Sequence, residues 1–103
     1  MKAIEQVQLQ LMLGQFEFSH HAFKRAVQRN IRDWEIIEAG EQAIMIEDYP
    51  DDKYSPSCLL LGFTESRRPL HIQVALMDSV LVKIITVYQP NENEWTDNYS
   101  KRR

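Results

Sequence analysis

His21, Arg25 and Arg29 follow one another at four-residue steps. At about 100° per residue, His21, Arg25, Gln28 and Arg32 project as one stripe of a helix, with Arg29 on its flank. Phe23, Ala26 and Val27 point the other way, towards a core. An imidazole moves protons near neutral pH, and guanidinium groups offer forked donors to phosphate oxygens. The set therefore suits phosphodiester chemistry. The same spacing also describes a solvated helix face with a histidine near its cap, and spacing alone does not choose between the two. His20 diverges from His21 by about 100°, so the pair cannot chelate one metal as an i, i+4 pair would. The carboxylates of Glu47, Asp48, Asp51 and Asp52 lack the alternating ligands and glycine of a calcium loop and read as a solvated turn. A second group, Arg68, His71, Thr86 and Tyr88, belongs to the later, strand-like part of the chain. Tyr88 is suited to donating a hydrogen bond or stacking on a base. Cys58 opens an apolar run and reads as core, not as a nucleophile. No Ser-His-Asp set, glycine-rich phosphate loop or acid dyad is recognisable, and no metal or other cofactor is expected.

The elements that must hold these residues are legible in outline. Ile4, Val7, Leu11 and Met12 recur at helical steps, giving a first helix that stops near Gly14. Ser19 is a suitable N-cap for a second helix, with Phe18 and Phe23 at hydrophobic-staple spacing and Asn30 suited to a left-handed end. A third helix is expected from Asp33 to Gly40. Beyond Gly40 the period changes. Gln42 to Glu47, Cys58 to Phe63, Leu70 to Leu76 and Val80 to Tyr88 read as strands, separated by Pro-, Asp- and Ser-rich turns. Trp95 is expected to fold back onto the body. Helices first and then a meander predict an α+β domain, with the N-terminal helices on one face of a four-stranded antiparallel sheet. His71 and Gln73 then line the open face, and whether Thr86 and Tyr88 join them depends on register.

Composition bounds the function classes. The 103 residues are 44% hydrophobic and 26% charged, which fits one small globular domain and neither disorder nor collagen. One cysteine excludes an internal disulfide framework. The longest apolar runs fall far short of the roughly 20 residues of a spanning helix, and no signal-peptide pattern opens the chain, so no membrane partner and a cytoplasmic location are expected. The net charge of −3 argues against broad coating of nucleic acid. It conceals a segregation, however. Residues 19–32 hold Lys24, Arg25, Arg29 and Arg32 with no acid, whereas residues 33–53 hold eight acids against Lys53. A local basic patch remains able to grip one or two phosphates.

Ser19-His20-His21-Ala22-Phe23-Lys24-Arg25 followed by Gln28-Arg29-Asn30-Ile31 resembles the opening of a prokaryotic domain-of-unknown-function family, number 4258. Later blocks agree in order and spacing: Ile46-Glu47-Asp48-Tyr49-Pro50, Pro56 to Gly62, Arg68-Pro69-Leu70-His71 and Ile85-Thr86-Val87-Tyr88-Gln89-Pro90. Asn30 stands where the family usually has glycine, and both tolerate a left-handed cap. The resemblance implies a single domain over 1–103, with residues 1–16 as an extra N-terminal helix, 17–98 as the family core and 99–103 as a basic tail. It further implies a RelE-like fold and a toxin-like, metal-independent endoribonuclease of a type II toxin–antitoxin system. Such an enzyme cleaves mRNA, in some cases ribosome-bound, by attack of a ribose 2′-OH on the phosphodiester. Catalysis would fall to His21, Arg25, Arg29 and Tyr88, and substrate binding to Arg68, His71 and Thr86. The implied partners are RNA and a cognate zinc-ribbon antitoxin, and the sequence leaves open whether the chain also forms a homo-oligomer. The acidic total differs from the basic balance usual in such toxins. A non-catalytic protein- or nucleic-acid-binding module, including a decayed toxin, therefore stands beside the enzyme reading.

Overall fold

A computed structural model describes all 103 residues. The N-terminal third is helical for local reasons. Helix α1 (Ile4–Met12) buries Val7 and Leu11, one turn apart. Gly14, at φ +75°, turns the chain into a short strand, β1 (Phe16–Phe18). Helix α2 (His20–Gln28) starts at Ser19, whose Oγ accepts the Ala22 N–H at 3.1 Å. It ends before Asn30, which takes the left-handed conformation at φ +54°. Helix α3 (Asp33–Gly40) buries Ile36 and Ala39, and its Glu35 carboxylate accepts the Arg32 backbone N–H at 3.0 Å.

Four longer strands follow: β2 (Ile44–Tyr49), β3 (Ser57–Phe63), β4 (Pro69–Ala75) and β5 (Val82–Tyr88). They form the expected antiparallel run, but the sheet has five strands, in the order β1-β5-β4-β3-β2, and β1 is parallel to β5. The expectation of a four-stranded, purely antiparallel RelE-like sheet is thus overturned: the fold is α+β around a mixed five-stranded sheet. Phe16-Glu17-Phe18 is too short for its alternation to stand out, and its ladder partner lies 66 residues away, at Phe16 opposite Val82. At the C-terminus, β6 (Trp95–Thr96) and β7 (Lys101–Arg102) make a separate hairpin.

One sheet face lies under the helices. Leu60, Leu70, Ile72, Val74, Ile84 and Val87 meet Val7, Leu11, Ala26, Ile36 and Ala39 in a single apolar cluster. The helices come very close. A Cβ on Gly62 would overlap the Ala39 carbonyl, and one on Gly40 would sit 2.5 Å from Leu11 Cβ. The α2 contact is narrow, because only Ala22 and Ala26 are buried along it. Phe23 (56% exposed) and Val27 (64%) therefore stay outside the core, against the sequence expectation. No helix is long and apolar enough to cross a membrane.

Candidate functional site

Two irregularities decide what shares the face of the sheet away from the helices. The β4–β5 register shifts between Gln73 and Val74, so Thr86 pairs with Gln73 and Tyr88 with His71 while Ile84 remains opposite core Val74. The β2–β3 register shifts between Met45 and Glu47, which places Glu47 opposite Leu59 and Tyr49 opposite Ser57. His71, Thr86, Tyr88, Glu47 and Tyr49 consequently occupy one face.

The C-terminal hairpin covers part of that face. His71 is fully buried. Its Nε2 lies 2.8 Å from the Tyr99 carbonyl and its Nδ1 3.1 Å from the Tyr88 hydroxyl. A carbonyl only accepts, so Nε2 carries the proton and Nδ1 accepts from the phenol. Trp95 meets the imidazole edge-on at 4.3 Å between ring centroids, and the Arg102 guanidinium lies 4.6 Å over the indole. Arg102 forks onto Glu47 at 2.8 and 3.1 Å, and the Tyr49 hydroxyl donates to the same carboxylate. Burial lowers the His71 pKa below its ordinary value, against the Tyr99 carbonyl and Glu47, which raise it. The bond from Arg102 holds the Glu47 carboxyl below the usual range. Burial raises the Tyr88 phenol. His71 is therefore a neutral acceptor that orients the Tyr88 hydroxyl.

The helical group is placed differently. His21 and Arg25 are exposed on α2. Arg25 Nη1 donates to Gln28 at 3.4 Å. The expected stripe breaks after Gln28: Arg29 is the C-cap, and Arg32, beyond the Asn30 turn, caps α3 instead. Arg29 turns towards the sheet, where its Nη1 donates to the Val87 carbonyl at 2.7 Å and its guanidinium lies 6.0 Å from the Tyr88 ring centroid. Past the end of β1, helix α2 thus supplies donors to β5, since Ser19 Oγ also reaches the Ile85 carbonyl at 3.4 Å. None of the five ion pairs in the protein involves Lys24, Arg25, Arg29 or Arg32.

Arg68 is committed to structure. Its guanidinium donates to both Glu35 oxygens (3.0 and 2.9 Å), to the carbonyls of Arg29 and Asn30, and to Gln89. It clamps the α2–α3 turn to the end of β5 and so fixes where Arg29 starts. The sequence-predicted residues therefore assemble in part. Arg29, Tyr88 and His71 come together, with Thr86 on the same face. Arg68 supports Arg29 from behind, and His21 and Arg25 lie farther along α2. The sequence reading missed Glu47, Tyr49 and Arg102 as a linked set and Tyr99 as the partner of His71. The concentration of Trp95, Tyr99 and Arg102 after the last strand was the available signal. No three His, Cys, Asp or Glu side chains approach closely enough to hold a metal ion.

No curated protein and no solved structure matches the chain. Residues 18–89 match a protein family described as "Domain of unknown function (DUF4258)", a span that runs from the end of β1 through β5 and stops before Trp95. With more than two thirds of its length matched, including α2, Arg68, His71 and Tyr88, the chain belongs to the DUF4258 family.

Proposed function

We propose that the protein is a toxin-like, metal-independent endoribonuclease that cleaves mRNA by attack of the ribose 2′-OH on the adjacent phosphodiester. The observation that carries this reading is the meeting of Arg29 with Tyr88 at the end of β5, with the Tyr88 hydroxyl oriented by a buried neutral imidazole. Arg25 and Arg29 hold no internal carboxylate and are available to a phosphate. In the transition state, their donors would stabilise the charge developing on the non-bridging oxygens. His21, exposed on the same helix, takes the 2′-OH proton as general base, and the new bond from the 2′-oxygen to phosphorus breaks the bond to the 5′-oxygen of the next nucleotide, which leaves with a proton from solvent. Tyr88, its hydroxyl proton held by His71 Nδ1, stacks on a flanking base, and Thr86 extends that surface. His71 and Arg68 act through Tyr88 and Arg29 respectively and are positioning residues. A zinc-ribbon antitoxin would be the cognate partner.

The test is incubation of the purified protein with single-stranded RNA, alone and with translating ribosomes, in the presence of a chelator. The expected products end in a 2′,3′-cyclic phosphate, and a 2′-deoxy substitution at the scissile nucleotide abolishes them. Arg29→Ala, Arg25→Ala and His21→Ala should each lower the rate by about 100-fold or more. Intact RNA in both arms, or cleavage that survives all three substitutions, refutes the assignment.

A further inference from the structure

The C-terminal hairpin is joined to the rest of the molecule by side chains alone. No backbone-to-backbone hydrogen bond links residues 91–103 to the main sheet or the helices, and β6 and β7 pair only with each other. Two of its residues make polar bonds to the body. The Tyr99 carbonyl accepts from His71, and Arg102 forks onto Glu47. Trp95 against the imidazole and Tyr99 beside Phe63 add aromatic contacts. Within itself the segment is well tied. The Ser100 N–H reaches the Thr96 carbonyl at 3.1 Å, the Arg103 N–H reaches the Glu94 carbonyl at 2.9 Å, and Lys101 pairs with Asp97. Its turn is strained, because Asp97, Asn98 and Tyr99 are all left-handed, at φ +51°, +56° and +70°. Asp and Asn visit that region readily, whereas a tyrosine Cβ crowds the backbone there. Such a turn persists where outside contacts hold it, and here the bond from His71 to the Tyr99 carbonyl does so. A cleft of about 220 Å³ already runs between the Asp97-Asn98 turn and Leu61 and Phe63 on the sheet.

We propose that this hairpin is a strap that opens as a unit while the rest of the fold stays closed, and that its opening releases Tyr88. The latch is the pair of Arg102 with Glu47, whose cation stands mostly in water over the Trp95 ring and is weakened by salt. Closed, the Tyr99 carbonyl takes the Nε2 proton of His71 and leaves Nδ1 to hold the Tyr88 hydroxyl. The Tyr88 ring then presents one fixed face to a base. Opened, the imidazole meets water and protonates as the pH falls through its ordinary 6.5, after which Nδ1 no longer accepts. The ionisable groups facing His71 are Glu47 and Tyr49 on β2, Tyr88 on β5, and Arg102 on the strap. Arg29 from α2 and Glu94 from the strap act on Tyr88. Glu47, freed of Arg102, favours the imidazolium and so the released state. The proposal rests on the nuclease reading for what Tyr88 does to RNA. The opening itself is measured without RNA, so the two fail separately.

The experiment labels the full chain at two buried sites under native conditions. Diethyl pyrocarbonate reports His71, which opening of the strap uncovers, and a thiol reagent reports Cys58, which lies in the core under the helices. Mass spectrometry reads both, with each rate scaled to its value in denaturant. On that scale His71 is expected to react at least about tenfold faster than Cys58, and faster still as salt rises. Arg102→Ala should raise the His71 rate by about tenfold with Cys58 still protected, and Arg102→Lys should restore most of the protection. In Arg102→Ala the NMR signals of the Tyr88 ring should follow pH with a midpoint closer to 6.5 than in the wild type. A merely structural role for Arg102 would expose both labelling sites together and leave that midpoint in place. Equal scaled rates in the wild type, a His71 rate indifferent to Arg102, or the same Tyr88 midpoint in both proteins overturns the proposal.

Discussion

Consider lowering the pH of the folded protein from about 8 to about 3, with His71→Leu as the control. His71 is buried among Tyr88, Tyr99 and Trp95, with Glu47 and Arg102 as its charged neighbours. Its folded-state pKa lies below the ordinary 6.5, chiefly because burial penalises the cation. The unfolded chain therefore binds the proton first as the pH falls. The stabilisation from the neutral imidazole is complete above pH 6.5 and is lost as the pH drops through the folded-state value. One proton limits the slope to about 1.4 kcal/mol per pH unit. For a domain of this size that lowers the melting temperature by up to roughly 10 °C per unit. His71→Leu removes both hydrogen bonds and leaves the Tyr88 hydroxyl without its acceptor, which costs about 1–3 kcal/mol at neutral pH and flattens the profile between pH 7 and 5. Glu47 adds a separate loss below its ordinary 4.5, because Arg102 depresses its pKa, and Arg102→Ala should remove that second fall. Thermal melts followed by circular dichroism, together with NMR titration of the imidazole Cε1–H, measure both. An imidazole titrating at or above 6.5, or an unchanged slope in His71→Leu, refutes the reasoning.

Gly62→Ala should destabilise by about 3 kcal/mol or more in urea denaturation, because the new methyl group meets the Ala39 backbone and α3 must lift off β3. Arg68→Ala strands the buried Glu35 carboxylate and releases the α2–α3 turn, a loss on the order of 3 kcal/mol by the same assay. Lysine should restore little of it, since one ammonium cannot reach Glu35, Gln89 and both turn carbonyls together. The Cys58 thiol is fully buried, and burial with Asp48 nearby pushes its pKa up to about 11. Iodoacetamide at mildly alkaline pH should therefore modify it only in denaturant, as read by mass spectrometry.

What could be read from the sequence was mostly what neighbouring residues decide for one another. Ser19 caps α2 through a backbone N–H three residues away, Asn30 turns left-handed, and α3 runs from Asp33 to Gly40 as its cap and terminal glycine indicate. The folding back of Trp95 followed from its size and place. Registers are another matter. The bulges that bring Thr86, Tyr88 and Glu47 to one face depend on which residue of a partner strand each one meets, and no local pattern encodes that choice. The α2 orientation was misjudged for a related reason. Phe23, Ala26 and Val27 read together as the core side, yet only Ala26, with Ala22, is buried: the small pair allows the helix to approach the sheet and leaves the two large residues outside. For the candidate site, the residue types were visible, but the link from His71 to Tyr99 and from Glu47 to Arg102 joins segments 28 and 55 residues apart.

The parallel seam between β1 and β5 also constrains how the chain can be made. Residues 16–18 have their only ladder partner at 82–84, and the Lys2 backbone N–H reaches the Leu76 carbonyl. During synthesis the first two helices emerge long before the strand that anchors them, so their apolar sides wait while the antiparallel strands are added one by one. Closure then depends on distant segments meeting late, the step that loop-closure entropy slows most. Moving the first eighteen residues to the far end of a circularly permuted chain would place β1 after β5 and shorten that wait.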